Sequence, residues 1–131
     1  MIVIERSALV AVLFEEQEGQ AFEDIIAGPE VCVMSAVNVH ETATVVRLRH
    51  GAAAVETMWR FIRDADIEII PFDEPQVHAA VAAYGRYGKG IDPKARLNLA
   101  DCAAYALAKV LDAPLLFKGN DFTHTDMKTC M

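Results

Sequence analysis

Ile2-Val3-Ile4-Glu5-Arg6-Ser7-Ala8-Leu9-Val10 opens the chain with three β-branched apolar residues, one acid, and then a helix-compatible run. An unbroken apolar run of this kind reads as a strand covered on both faces. Ser7 is placed to cap a helix from Ala8 to Phe14. The same strand-then-helix pattern recurs downstream. Val31-Cys32-Val33-Met34 is a second apolar strand, and Ser35 caps a helix running to about His50, with Gly51 as its stop. Ile67 to Phe72 is a third strand, interrupted late by Pro71, and Leu115-Leu116-Phe117 is a fourth, followed by a Gly119-Asn120 turn.

The intervening segments read as helices. One spans about Gln17 to Ala27 and ends at Gly28-Pro29. Ala52 to Ala65 carries Val55, Met58, Trp59 and Ile62 at helical spacing. Asp73 and Pro75 open a helix bearing Val77, Ala80, Val81 and Tyr84, and Asn98 caps another that runs to about Leu111. Gly85 to Arg96 reads as a loop, and residues 123 to 131 as either a short edge strand or a frayed tail. Short apolar strands alternating with helices specify an α/β fold, with parallel strands, right-handed crossovers and helices on both faces of the sheet.

A chain of 131 residues suits one domain, residues 1–131. Area scaling gives roughly 7,000 Å² of folded surface against roughly 21,000 Å² unfolded, so the core needs no disulfide or structural metal. Apolar residues make up 53%, which excludes a disordered chain. Cys32, Cys102 and Cys130 form no CxxC pair and read as reduced thiols. No apolar run approaches the roughly 20 residues of a membrane span, and the N-terminus lacks the basic flank of a signal peptide, so a cytoplasmic location is expected. The net charge of −7 excludes a nucleic-acid binder that relies on overall charge. It leaves room for a local basic patch, or for an acidic site that uses cations to bind phosphate.

Four carboxylates fall where carboxylates are costly. Glu5 ends a strand covered on both sides. Glu41 has Val37, Val45 and Leu48 at i−4, i+4 and i+7, and Asp101 has Leu97, Ala104 and Ala108 at i−4, i+3 and i+7, so both lie on apolar helix stripes. Asp121 follows the fourth strand directly. A lone buried carboxylate costs several kcal/mol unless it is paired or bound to a cation. Each also has an ordinary explanation: Asp101 as a helix cap, Glu41 as the partner of Arg47 or another Arg, Asp121 as a turn residue. In an open parallel sheet, however, ligands bind beyond the carboxyl ends of the strands, where all four can face one pocket. All-oxygen ligation suits Mg²⁺ or Mn²⁺ better than Zn²⁺ and serves metal-assisted phosphodiester hydrolysis.

The motifs that carry these acids resemble those of the PIN-domain ribonucleases. Ile2 to Val10 is similar to the family's opening, usually written V-I-D-T-S-A-L. Ser35-Ala36-Val37-Asn38-Val39-His40-Glu41 resembles the second motif, and Leu97-Asn98-Leu99-Ala100-Asp101-Cys102 with Tyr105-Ala106-Leu107-Ala108 the third. Pro114-Leu115-Leu116-Phe117-Lys118-Gly119-Asn120-Asp121-Phe122 resembles the fourth. Order and spacing fit over nearly the whole chain, and the nearest branch is the VapC-type toxins of bacterial toxin–antitoxin pairs. The resemblance implies a three-layer α/β/α sandwich with a central, mainly parallel sheet, usually dimeric. It also implies Mg²⁺- or Mn²⁺-dependent endoribonuclease activity and a VapB-type antitoxin partner. Glu5, Glu41, Asp101 and Asp121 become the catalytic and metal positions, with Ser7 the hydroxyl that supports the first acid and Asp126 a reserve. Two residues depart from the pattern: Glu5 stands for the usual Asp, and Arg6 for a small residue, often Thr.

Other signals are weaker. His40-Glu41 is no HExxH zinc motif, because Thr44 stands at the second His position, and Gly85 to Gly90 lacks P-loop spacing. Trp59 and Phe61 read as core or partner-facing residues. Arg86, Lys89, Lys94 and Arg96 form a basic stretch leading into the Asp101 helix: either a solvated loop or a guide for the RNA backbone, with Tyr84 or Tyr87 available to stack on a base. The leading expectation is a metal-dependent endoribonuclease toxin. The alternative is a PIN-fold protein with weakened or lost catalysis that only binds antitoxin or RNA. A third, a small metal-dependent phosphohydrolase, has no motif of its own.

Overall fold

The computed structural model describes residues 1–130. Its elements run β1 (Ile2–Ile4), α1 (Arg6–Leu13), α2 (Gly19–Ile26), β2 (Cys32–Ser35), α3 (Ala36–His50), α4 (Ala52–Asp64), β3 (Glu68–Ile70), α5 (Glu74–Tyr87), α6 (Leu99–Leu111) and β4 (Leu115–Leu116). The four strands form one parallel sheet in the order β3-β2-β1-β4. Side chains alternate across it, as a strand period of two requires. Ile2, Ile4, Cys32, Met34 and Leu116 pack with Leu9, Phe22, Val39, Met58 and Ile62 from α1–α4. Val3, Val33 and Leu115 face the other way, onto Tyr87, Cys102, Tyr105 and Leu107 of α5 and α6. Two apolar layers around one sheet make the three-layer sandwich expected from the sequence. The accessible surface, 7155 Å², matches area scaling for a compact chain of this size. No helix among the described residues is long and apolar enough to cross a membrane.

Four local expectations are corrected. Helix α1 starts at Arg6, and its cap is Glu5 rather than Ser7, since the Glu5 carboxylate accepts from Ser7 N. Helix α5 does not stop at Gly85 but continues to Tyr87. A single helical Gly costs only about 1 kcal/mol, and burial of Ala83 and Tyr87 on either side outweighs it. The exit is at Gly88, where a Cβ would lie 2.5 Å from the Tyr84 carbonyl oxygen. Strands β3 and β4 are shorter than their apolar runs: β3 stops before Pro71 and β4 before Phe117. Of the two readings for the C-terminal stretch, the edge strand is nearer. Thr129 bridges Leu115 in parallel, with Leu115 N donating to Lys128 O at 2.9 Å. Met131 lies outside the described residues.

Candidate functional site

Parallel strands put all their carboxyl ends along one edge, and the four acids reach that edge by different routes. Glu5 leaves β1 directly and is 3% exposed. Its Oε2 accepts from Ser7 N at 2.8 Å and from the Ser7 hydroxyl in a short hydrogen bond. The Ser7 oxygen in turn accepts from Lys118 N at 2.8 Å, so one hydroxyl joins the start of the chain to the loop after β4. Ser7 thus contacts the first acid and the loop after β4 at once. Burial drives the Glu5 carboxyl up to about 7. The two Ser7 hydrogen bonds oppose that rise, Asp101 adds to it, and Arg6 counters it.

Asp101 occupies the first turn of α6 and is 8% exposed. It closes a capping box: Asp101 N donates to Asn98 Oδ1 at 2.8 Å, and Asn98 N donates to Asp101 Oδ2 at 3.0 Å. The ordinary explanation for Asp101, a helix cap, is what the structure shows, and the cap engages Oδ2 of its two carboxylate oxygens. Burial raises its pKa, the Asn98 backbone bond lowers it, Asp121 and Glu41 raise it, and Arg6 lowers it. The charges of Glu41, Asp121 and Glu5 thus meet at α6.

Glu41 projects from the second turn of α3. Buried Asn38, one turn earlier, anchors α3 to α6 by donating from Nδ2 to Ala100 O at 3.0 Å, next to Asp101. The partner of Glu41 is Arg6, with Nε 3.5 Å from Oε1, rather than Arg47. Both of these atoms are buried and neither makes a hydrogen bond. Asp121 is the exposed member of the set, in the turn after Gly119-Asn120. Among the described residues, no three His, Cys, Asp or Glu side chains already sit together tightly enough to hold a metal ion. The fit to a divalent cation is one of donor chemistry. The groups are all oxygen donors, mutually repelling, one with an orphaned buried oxygen at Glu41 Oε1.

The reserve acid, Asp126, is occupied elsewhere. It accepts from Lys109 Nζ at 2.7 Å and from the Tyr105 hydroxyl, and these bonds hold its carboxyl at about 2. It fastens the C-terminal stretch to the flank of α6. Two residues near the site were not picked out by sequence reasoning. Asn38 signals itself only as a polar residue on a buried helix face. Lys118, beside the Ser7 link, is spent on Glu16 and Glu18 at 2.8 and 3.4 Å, partners 102 and 100 residues away that no local pattern reveals.

Arg86, Lys89, Lys94 and Arg96 are exposed, and none forms an ion pair among the described residues. Arg86 lies on α5 over the Tyr87 ring, 4.8 Å from its centroid. The loop is pinned at its neck by Lys89 N donating to Leu97 O and Leu97 N to Tyr87 O, each at 2.8 Å. Tyr84 adds a hydroxyl bond to Lys89 O at 2.9 Å. Its exit, Leu97, precedes the Asn98 cap, so the basic loop is held close to Asp101. Two grooves lie apart from the acids. Val12, Leu13 and Phe61 with Glu15, Glu16 and Glu23 line one of about 410 Å³. Val37, Phe72, Val77, Val81, Tyr84 and Leu99 line another of about 550 Å³.

A family model for the PIN domain matches residues 2–128. Ribonuclease VapC30 of Mycobacterium tuberculosis is 40% identical over 128 residues, covering 98% of this chain and 97% of that protein. Ribonuclease VapC of Mycolicibacterium smegmatis is 41% identical over 126 residues, covering 96% and 97%. Among solved structures, VapC20 of Mycobacterium tuberculosis, a sarcin-ricin loop cleaving toxin, superposes with a TM-score of 0.79 at 15% identity, over 97% of this chain and 96% of that one. VapBC2 of Rickettsia felis, bound to a promoter DNA fragment, gives 0.77 at 14% identity, over 98% and 96%. The two solved structures bear on the fold; the curated relatives bear on the family.

Proposed function

Because this chain belongs to the PIN-domain family and to its VapC ribonucleases, we propose that it is a divalent-metal-dependent endoribonuclease, the toxin of a VapBC-type pair. It acts in the cytoplasm as a single PIN-like domain spanning residues 1–131. The observation that supports this reading is the burial of Glu5 and Asp101 near the carboxyl edge of the sheet, with Asp101 raising the proton affinity of Glu5, and Asp121 and Glu41 raising that of Asp101. Carboxylates so placed are costly without a cation.

Glu5, Glu41, Asp101 and Asp121 would hold Mg²⁺ or Mn²⁺. When bound, such an ion supplies charge for a phosphoryl oxygen and acidifies a water. The chain's own residues do the rest. Ser7 fixes the Glu5 carboxylate against rotation. The capping box orients Asp101. Arg86, Lys89, Lys94 and Arg96 attract the RNA backbone, and half-buried Tyr84 offers a face for a base, whereas Tyr87, the other candidate from the sequence, is buried against Tyr105 and under Arg86 and offers none. A VapB-type antitoxin is the proposed partner, and the groove beside Phe61, with Glu15, Glu16 and Glu23 at its rim, suits a basic amphipathic segment. A homodimer is proposed on the apolar groove bearing exposed Val81 and Leu99.

Purified protein should cleave RNA with Mn²⁺ or Mg²⁺ and stop when EDTA is added, and Asp101→Asn should lose at least 100-fold in rate, as loss of a charge-stabilising group does. Cleavage that persists in EDTA would overturn the metal requirement. One observation favours a second reading, a PIN-fold protein that binds antitoxin or RNA without cutting: Arg6 already faces Glu41. Absence of cleavage with either ion, alongside measurable antitoxin binding, would put that reading first.

A further inference from the structure

We propose that Arg6 is the resident counter-cation of the acidic site: it holds Glu41 while no divalent ion is bound, and the ion must displace it from that carboxylate. The inference rests on the nuclease site proposed above and adds a control on its loading.

Arg6 is the first residue of α1, the positive end of the helix, where a cation is disfavoured. Helix formation does not explain an arginine there; the acids do. Its Nε lies 3.5 Å from Glu41 Oε1, yet both atoms are buried without a hydrogen bond. The contact is therefore charge without direction. Its loss forfeits little bonding, and a carboxylate oxygen already stripped of water is left open to a stronger ligand. The Arg6 side chain keeps 32% exposure, which gives it a path outward. Its charge also reaches past Glu41, easing the ionisation of both Glu5 and Asp101. The neighbouring cation, Lys118, is committed to Glu16 and Glu18. Arg6 thus stabilises the empty site and opposes its filling.

The test is calorimetric titration of the full chain with Mn²⁺ alone, without RNA, together with melting temperatures in EDTA. Arg6→Thr should bind Mn²⁺ about tenfold more tightly than wild type, since the ion no longer competes with the Arg6 charge for the Glu41 carboxylate, a competition of roughly that size at moderate dielectric. It should melt lower in EDTA. Arg6→Gln, closer in size, should tighten binding similarly and guards against a folding defect in the Thr variant. On a Glu41→Gln background, Arg6→Thr should change affinity less than twofold, which general charge repulsion alone would not produce. Equal or weaker Mn²⁺ binding by both Arg6 variants, with Asp101→Asn still impaired, overturns the proposal and leaves the metal site standing. No Mn²⁺ binding by any form overturns both.

Discussion

Glu5 is asked to be a helix cap, a strand terminus and a charge at the same time, and its surroundings pull its carboxyl in opposite directions. Burial favours the protonated form, and the Ser7 hydrogen bonds favour the ionised one; burial wins, at about 7 against 4.5 for the free side chain. Between those values the metal-free folded state holds a proton that the unfolded chain has released. This group's contribution to stability is therefore full below about 4.5 and is lost as pH rises through 7. The difference corresponds to an upper bound of about 3 kcal/mol. Asp126 works with the opposite sign but in a separate, more acidic window, between about 2 and 3.8. In EDTA, wild type should lose stability between pH 5 and pH 7.5 relative to Glu5→Gln, measured by chemical denaturation at each pH. A parallel course for the two proteins would mean that Glu5 ionises freely when buried. At this scale the sequence was partly legible. An acid at the end of a doubly covered strand announces itself, but the partner of Arg6 does not. That partner lies 35 positions away, on a helix that only tertiary packing brings near.

At the scale of elements, the strands were legible because each is a short, mainly apolar run bounded by a cap or turn. The helices were legible because Asn98, Ser35 and Asp73 announce their starts, and all three side chains do accept cap hydrogen bonds. Gly85 misled because a glycine in open space inside a helix is tolerated, whereas Gly88, three residues on, is the one pressed against backbone. That shift leaves Arg86 on the rigid end of α5 and only Lys89, Lys94 and Arg96 on the loop. Replacing all four by Gln should weaken RNA binding and lower the slope of log K against log salt by up to about 3, at roughly 0.7 per single-strand phosphate contact. Mn²⁺ affinity should be unchanged, because none of the four is a cation ligand. Filter binding of a non-cleavable RNA at several salt concentrations measures this. An unchanged slope would make the loop ordinary solvated surface.

For the whole molecule, the two grooves share no lining residue: one is built by α1, α2 and α4, the other by α5 and α6 with Val37 at the start of α3. A groove partner and a second copy would then bind without competing. Phe61→Glu should weaken antitoxin binding by at least tenfold while leaving the oligomeric state alone. Val81→Glu with Leu99→Glu should do the reverse, read by calorimetry and by light scattering. Loss of both properties in both variants would mean that one surface serves both purposes.

The hydroxyl link between Ser7 and Lys118, and the seat of β4 beside β1, carry a consequence for synthesis. The strand nearest the start of the chain is completed by one of the last to leave the ribosome. Contacts of such sequence separation form late. A nascent chain that has emerged only as far as α6 lacks both Asp121 and the clamp on Glu5. In a growing polypeptide the acidic edge is therefore assembled only once β4 and the loop that follows it have settled beside β1.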